Sequence, residues 1–371
     1  MAEETTRDDA TPTGPEPEVT PGGIHISRAG LLKAGALTAA GLAGAGLAGA
    51  PSRRALGAPA SAKKRYKIAI VPKGLDNPVF NTANWGGATR AKELGNVDFT
   101  FTGSATSDAA QQVTAIDGLI AQGFDGIGIS CNAPQPLVQP INHAIAKGIV
   151  VITWDSDSPT SKRPVFYGVD SFKCGQTEAT LLNGLLAGKS GNIWILSGDP
   201  GAQNLNARIA GVKSKLAPGL KIKGYSYTLH DSIPQSVQEV ETTIQANPDL
   251  IGFIMVGGWP LFTTGALPNL AKATKAGLKV ISFDYLATEL PWVENGDVSA
   301  LVGQDYWGWG YQSVQIISQI LQGHHYPAFV PQASPVVTKA NVAKYVHIWQ
   351  VAKDAASAAS VFKEAPIPPS M

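Results

Sequence analysis

Strand-like apolar runs recur along this chain about every 25 to 30 residues, with helical periodicity in the gaps. The first set is Lys67 to Val71, Asp98 to Thr102, Gly126 to Ser130 and Ile149 to Trp154. The second is Asn192 to Ser197, Ile222 to Thr228, Leu250 to Val256, Lys279 to Phe283 and Ser299 to Gly303. Between them, Val113, Ile116, Leu119 and Ile120 share one helical face, which Ser107 is placed to cap. Leu137, Ile141, Ala144 and Ile145 share another, and Val237, Val240, Glu241 and Ile244 a third. Alternation of this kind builds βαβ units and parallel sheets. So many strands overfill one sheet, and they divide near Asp170. The expected fold class is α/β, with two doubly wound parallel-sheet lobes of similar size.

Two of the strands end alike. Ile149-Val150-Val151-Ile152-Thr153-Trp154 stops at Asp155, and Leu278-Lys279-Val280-Ile281-Ser282-Phe283 stops at Asp284. The carboxyl ends of parallel strands open onto the ligand crevice. An acid beside an aromatic ring at each edge suits a neutral, hydroxyl-rich ligand: the acid accepts hydroxyl hydrogen bonds and a ring covers a CH face. Three turns stand at equivalent edges. Lys73-Gly74-Leu75-Asp76-Asn77-Pro78-Val79-Phe80 follows the first strand, offering Asn77 as an amide and Phe80 as a wall. Asn-Pro is also ordinary helix punctuation. Gly201 to Arg208 follows the first strand of the second lobe, and Arg208 offers a fork of donors for two adjacent hydroxyls. Val256-Gly257-Gly258-Trp259-Pro260 ends another strand, where Trp259 either stacks on a ligand or packs under its own loop. Trp154 points away from Asp155 if the strand alternates regularly, and it is read as core with most of the eight tryptophans.

Composition excludes other classes. The chain is 44% hydrophobic and 15% charged, with formal charge +1, so nothing marks it for nucleic acid. Cys131 and Cys174 are too few for a disulfide framework or a zinc site, and spacing leaves one bridge between them open. Gly184 to Ser190 is one residue short of a phosphate loop and follows a helix instead of a strand, which fits a helix stop. Gly126-Ile127-Gly128-Ile129 completes no dinucleotide fingerprint, no nucleophile elbow appears, and His324-His325 reads as a surface turn. No acid, base and nucleophile assemble, so no catalytic residue, metal or cofactor is assigned and the chain is read as a non-enzyme.

Residues 1–62 stand apart from the fold. Residues 1–23 are acidic and rich in Pro and Thr. Ser27-Arg28-Ala29-Gly30-Leu31-Leu32-Lys33 and the Gly/Ala/Leu run from Ala34 to Ala50 resemble a twin-arginine export signal, with Ala29 where the second Arg would stand. The run of about 17 residues is marginal for a membrane anchor. Ala60-Ser61-Ala62 and Ala48-Gly49-Ala50 are alternative cleavage sites. The chain from Lys63 is expected outside the cytoplasm.

Together, these residues resemble the periplasmic sugar-binding proteins of the ribose-binding type, which serve ABC importers. The resemblance spans roughly residues 66–350. It rests on Asp76 to Phe80, Gly126 to Asn132, Val151 to Asp155, Asn206-Ala207-Arg208-Ile209-Ala210-Gly211, Ile281 to Asp284 and Val302-Gly303-Gln304-Asp305. It implies a type I periplasmic binding protein fold, with crossings between lobes near residues 170, 304 and 335. The lobes would be 63–170 with 305–335, and 171–304 with 336–350, leaving 351–371 as a tail. It implies that Asn77, Asp155, Arg208, Asp284 and Gln304 hydrogen-bond a sugar, with Phe80 packed against it. Val79 replaces a second aromatic, Ser156 replaces an Arg, and Gly-Gly-Trp-Pro replaces a polar residue. Those departures point away from ribose, toward another sugar, sugar alcohol or amino sugar stacked on Trp259. The partners implied are that ligand and a membrane permease, with the protein a monomer. A receptor for a signalling furanose or for chemotaxis shares all these features. A repressor would need an N-terminal helix-turn-helix, and a secreted α/β enzyme would need convergent catalytic groups.

Overall fold

The computed structural model describes residues 64–362 and 366–370, and the segment read as an export signal lies outside them. The first lobe is built from β1 (Tyr66–Val71), α1 (Asn81–Leu94), β2 (Val97–Phe101), α2 (Ala109–Ala121), β3 (Gly126–Ile129), α3 (Pro134–Ala146), β4 (Val150–Trp154) and β5 (Phe166–Gly168). The second comprises α4 (Ser171–Leu185), β6 (Gly191–Ser197), α5 (Gln203–Lys215), β7 (Leu220–Tyr227), α6 (Ile233–Ala246), β8 (Leu250–Met255), α7 (Pro268–Lys275), β9 (Lys279–Phe283), α8 (Leu290–Asn295) and β10 (Ala300–Val302). The chain then returns as α9 (Tyr306–Ile320) and β11 (Phe329–Pro331), and crosses again to β12 (Val336–Thr338) and α10 (Val342–Val351). Helix α11 (Ala355–Val361) packs back on α1.

The sheet orders are β11-β5-β4-β3-β1-β2 and β12-β10-β9-β8-β6-β7. Every pairing is parallel except β10 with β12. The shared order reverses direction at β1/β3 in one sheet and at β6/β8 in the other. At such a switch point the crossover helices diverge to opposite faces, leaving a crevice at the strands' carboxyl ends. This is the two-lobed α/β architecture expected from the strand spacing. The short strands β5, β11 and β12 have no counterpart in the sequence reading. Helix α2 is capped by Asp108, whose side chain accepts from Gln111 N at 2.8 Å, and not by Ser107. Residues beyond 350, read as a tail, are packed: Phe362 stacks on Trp307 at 5.9 Å, and Ile367 N donates to Gln312 Oε1 at 3.2 Å.

Each lobe contains a helix pair drawn together by glycines. In the first, a Cβ on Gly310 of α9 would sit 1.8 Å from Ala83 O of α1, and one on Gly86 of α1 would sit 2.2 Å from Trp307 O. In the second, a Cβ on Gly175 of α4 would sit 1.9 Å from Arg208 O of α5, and one on Gly211 of α5 would sit 2.0 Å from Phe172 O. Backbone meets backbone in both pairs, so no side chain can retreat to make room. Helix α9 also lies under the first sheet, where Gly126 and Gly128 of β3 leave space for Ile317. Its residues from Tyr306 to Ser318 are all buried, the polar Gln312 and Gln315 included.

Gly310→Ala should therefore lower stability by about 1–3 kcal/mol, seen as a fall in Tm of several degrees by calorimetry. Gly184→Ala is the control: nothing stands within 4 Å of its Cβ, and Tm should hold or rise because Ala favours the helix.

Candidate functional site

The carboxyl ends of the two sheets face each other across one cavity. The first lobe contributes Lys73, Asn77, Val79, Phe80, Asp155 and Trp309. The second contributes Asn204, Leu205, Arg208, Asp231, Gly257, Trp259 and Asp284, and Gln304 stands on the crossing between β10 and α9. All seven residues singled out from the sequence thus lie on one cavity: Asn77, Phe80, Asp155, Arg208, Trp259, Asp284 and Gln304.

Asp155 and Asp284 arrive in the same way. Each follows the last residue of a buried strand and adopts the left-handed region, with φ of 57° and 74°. Asp tolerates that region better than most residues, and it turns the chain off the sheet. Asp155 accepts from Ser130 Oγ at 2.6 Å and from Asn204 Nδ2 at 3.3 Å. Asp284 accepts from Gln304 Nε2 at 3.1 Å, Tyr306 OH at 3.2 Å and Gly258 N at 3.3 Å. Burial pushes the Asp284 carboxyl above its ordinary value, with the Arg208 charge opposing.

Arg208 is held by neutral acceptors, donating to Val256 O at 2.8 Å and Gln304 Oε1 at 3.2 Å. Its guanidinium lies 3.5 Å from the Phe283 ring centroid, a cation–π contact that fixes its plane. Gln304 thereby joins Arg208 to Asp284. Asn77 is both helix punctuation and cavity wall: its Oδ1 accepts from Val79 N at 3.1 Å, leaving the amide nitrogen for other partners. Phe80 belongs to an aromatic cluster, 5.6 Å from Trp154 and 5.7 Å from Trp309. Trp154 is core, as alternation predicts. Trp259 does both things left open for it. It lines the cavity, and its ring covers Gly198 and Gly257, where added Cβ atoms would meet it within 2.7 and 2.2 Å.

Besides Val79, Leu205 and Gly257, four polar or aromatic wall residues carried no assignment from the sequence. Lys73 is buried at the end of β1 and donates to Asn204 Oδ1 at 2.9 Å across the lobes. Asn204 precedes Arg208 by four residues, and that helical spacing was a legible signal. Trp309 sat in a cluster read as core. Asp231 follows β7 but lacks the strand–aromatic–acid pattern. It accepts from Asp199 N at 2.9 Å, Ser107 Oγ stands 3.4 Å from it, and burial raises its carboxyl above the ordinary value.

The five charged wall residues are Lys73, Arg208, Asp155, Asp231 and Asp284. None forms an ion pair among the described residues; every direct partner is neutral. The cavity is narrow, about 30 Å³, because side chains of the two lobes bond each other across it. Cys131 and Cys174 are both buried free thiols.

A family profile described as "periplasmic binding protein domain" matches residues 68–325. Among solved structures, an ABC transporter solute-binding protein from Burkholderia graminis, in complex with D-arabinose, is 33% identical. It superposes with a TM-score of 0.70 over 76% of this chain and 98% of that one. The ribose import binding protein of Bacillus subtilis is 24% identical, covering 74% of this chain and 87% of its own. The xylitol-binding protein of Mycolicibacterium smegmatis is 25% identical, covering 76% and 79%.

Behind Arg208 lies Glu178 of α4, fully buried, with neither carboxylate oxygen partnered among the described residues. Burial raises it from 4.5 to about 8; the Arg208 charge opposes this and Asp284 adds to it. The folded protein therefore holds a proton here that the unfolded chain has released, between pH 4.5 and about 8. Stability contributed by that proton is full below 4.5 and is lost as pH rises through about 8, at up to about 1.4 kcal/mol per pH unit. Glu178→Gln keeps the shape without the charge. Its Tm should vary less than wild type between pH 5 and 8 and exceed it at pH 8; parallel curves would exclude this origin.

Proposed function

The chain belongs to the periplasmic binding protein domain family, the extracytoplasmic sugar-binding subunits of ABC transporters, and on that premise we propose that it captures a monosaccharide or polyol between its lobes. The observation that carries the reading is the cavity in which five charges bond only neutral groups. A hydroxyl both donates and accepts, so a polyol can satisfy cations and carboxylates together. An ionic ligand would leave half of this set opposed. In this reading one jaw is 63–170 with 305–335, offering Asn77, Phe80 and Asp155. The other is 171–304 with 336–350, offering Arg208, Trp259 and Asp284, and Gln304 reaches in from the crossing.

Sugar entry would replace the direct Lys73–Asn204 and Asn204–Asp155 bonds with bonds through the ligand. Binding then stabilises the closed form and shifts an open–closed population. Charge-assisted bonds to hydroxyls contribute about 1.5–3 kcal/mol each. Several of them beside a ring at Phe80 or Trp259 account for micromolar affinity, about 8 kcal/mol. One of the relatives is in complex with D-arabinose and two are named for ribose and xylitol, and a related five-carbon sugar or polyol is the first class to try. The closed form would deliver the ligand to a membrane permease without transforming it, after export through the N-terminal signal.

A thermal-shift screen against pentoses, hexoses, polyols and amino sugars, followed by calorimetry, tests the assignment. A neutral sugar or polyol should raise Tm and be recovered unchanged; turnover would overturn the reading. Asp284→Asn, which tolerates the left-handed backbone, should weaken that ligand at least tenfold with the fold intact. Unchanged affinity would remove Asp284 from the site.

A further inference from the structure

Among the described residues, four non-glycine residues adopt positive φ: Asp155, His230, Asp231 and Asp284. Two are the strand-end acids. The other two are consecutive, with φ of 55° and 53°, in the turn after β7. Two successive left-handed non-glycine residues store strain that surrounding contacts must hold. Burial holds only one side of this turn: Asp231 is enclosed, while Leu229 beside it is 58% exposed. On its own lobe the turn is tied by Leu229 N to Gln235 Oε1 at 3.0 Å, Ser232 N to Leu229 O at 3.1 Å, and Asp199 N to Asp231 Oδ1 at 2.9 Å.

Its remaining ties cross to the opposite lobe. His230 Nδ1 lies 2.8 Å from Ser107 O. A carbonyl only accepts, so Nδ1 carries the proton and donates. Ser107 Oγ also reaches Asp231, at 3.4 Å, but its single proton is better placed toward Asn132 Oδ1 at 2.6 Å. The His230 bond is therefore the stronger tie between this turn and the first lobe. Asp231 and Asn77 line both the inner cavity and a wider outer groove of about 410 Å³, whereas His230 lines the outer groove alone. The pair Asn77 and Asp231 thus stands at the doorway, with His230 on its outer side.

We propose that His230 is a positioning residue that latches the strained turn to Ser107 on closure, bringing Asp231 to the doorway as the cavity's third acid. In the open form the bond to Ser107 is broken and the turn relaxes. The third acid is then delivered by closure, while Asp155 and Asp284 are set by their strands. The latch holds the closed form, so it acts chiefly on release and also biases the unliganded protein toward closure.

This rests on the capture reading, and two measurements on the full chain separate them. With the neutral sugar or polyol that binds wild type most tightly, His230→Ala should raise the stopped-flow dissociation rate about fivefold or more, leaving association within about twofold. His230→Asn can adopt the left-handed backbone and offers an N–H, so it should recover much of the loss. Wild-type dissociation in His230→Ala, or an Asn variant as fast as the Ala variant, would overturn the latch. The second measurement needs no sugar. Small-angle scattering should give His230→Ala a larger radius of gyration than unliganded wild type, and equal radii would overturn the latch. If no sugar binds wild type, the capture reading fails while the scattering comparison still decides the latch.

Discussion

A carboxylate buried at the end of a strand must find donors, and here most of those donors are neutral amides and hydroxyls. Had Arg208 paired with Asp284, or Lys73 with Asp155, the cavity would be a closed set of ion pairs with little left for a guest. Gln304 stands between Arg208 and Asp284, and Asn204 between Lys73 and Asp155. Each amide uses its oxygen toward the cation and its nitrogen toward the acid. The charges are kept in register without neutralising one another. Such spacing is costly in a sealed site, as the raised Asp231 and Asp284 carboxyls show. A guest bearing several hydroxyls relieves that cost where an apolar guest would deepen it.

The scaffold serves this arrangement through close backbone approach. Arg208 sits on α5, and its own carbonyl is the atom that Gly175 allows α4 to reach. Helix α4 begins just after the first crossing between lobes, so the helix carrying the guanidinium is braced against the hinge side of its lobe. The first lobe repeats the device with α1 and α9, and α9 begins just after the second crossing. Trp309 of α9 joins Phe80 and Trp154 in one aromatic wall. Rings buried this tightly cannot swing, so the wall's position is set by the lobe and does not depend on the guest.

Much of this was legible in the residues. Apolar runs with a fixed interval give parallel sheets, and an acid straight after an aromatic-ended strand has one place to go. Asp155 and Asp284 follow from that logic, Arg208 and Trp259 were offered by turns after other strands, and all four line the cavity. Lys73 was harder, because a lysine at a strand end is ordinarily solvated, and here its ammonium finds a partner on the facing lobe. Asp231 was hidden by its backbone, since a double left-handed turn at His230 and Asp231 has no glycine to announce it. The choice of Asp108 over Ser107 as the cap of α2 has a related cause. Ser107 faces Asn132, Asp231 and His230, so its contacts depend on chain segments far away in sequence. The strands β5, β11 and β12 are three residues each, and unlike the equally short but wholly apolar β10 they carry no uninterrupted aliphatic run.

The closed geometry also sets what an affinity here measures. Lys73, Asn204 and Asp155 already satisfy one another across the lobes. A ligand gains only the difference between its own hydrogen bonds and those it displaces, plus whatever ring contact it adds. This favours ligands that replace every displaced bond over ligands that merely fit. Removing one hydroxyl leaves a buried charge short of a partner, at a cost larger than the bond's net contribution. Adding a methyl group asks two backbone-braced lobes to part. Selectivity can thus be steep although each contact is modest, because the reference state is a cleft whose charged groups are already hydrogen-bonded.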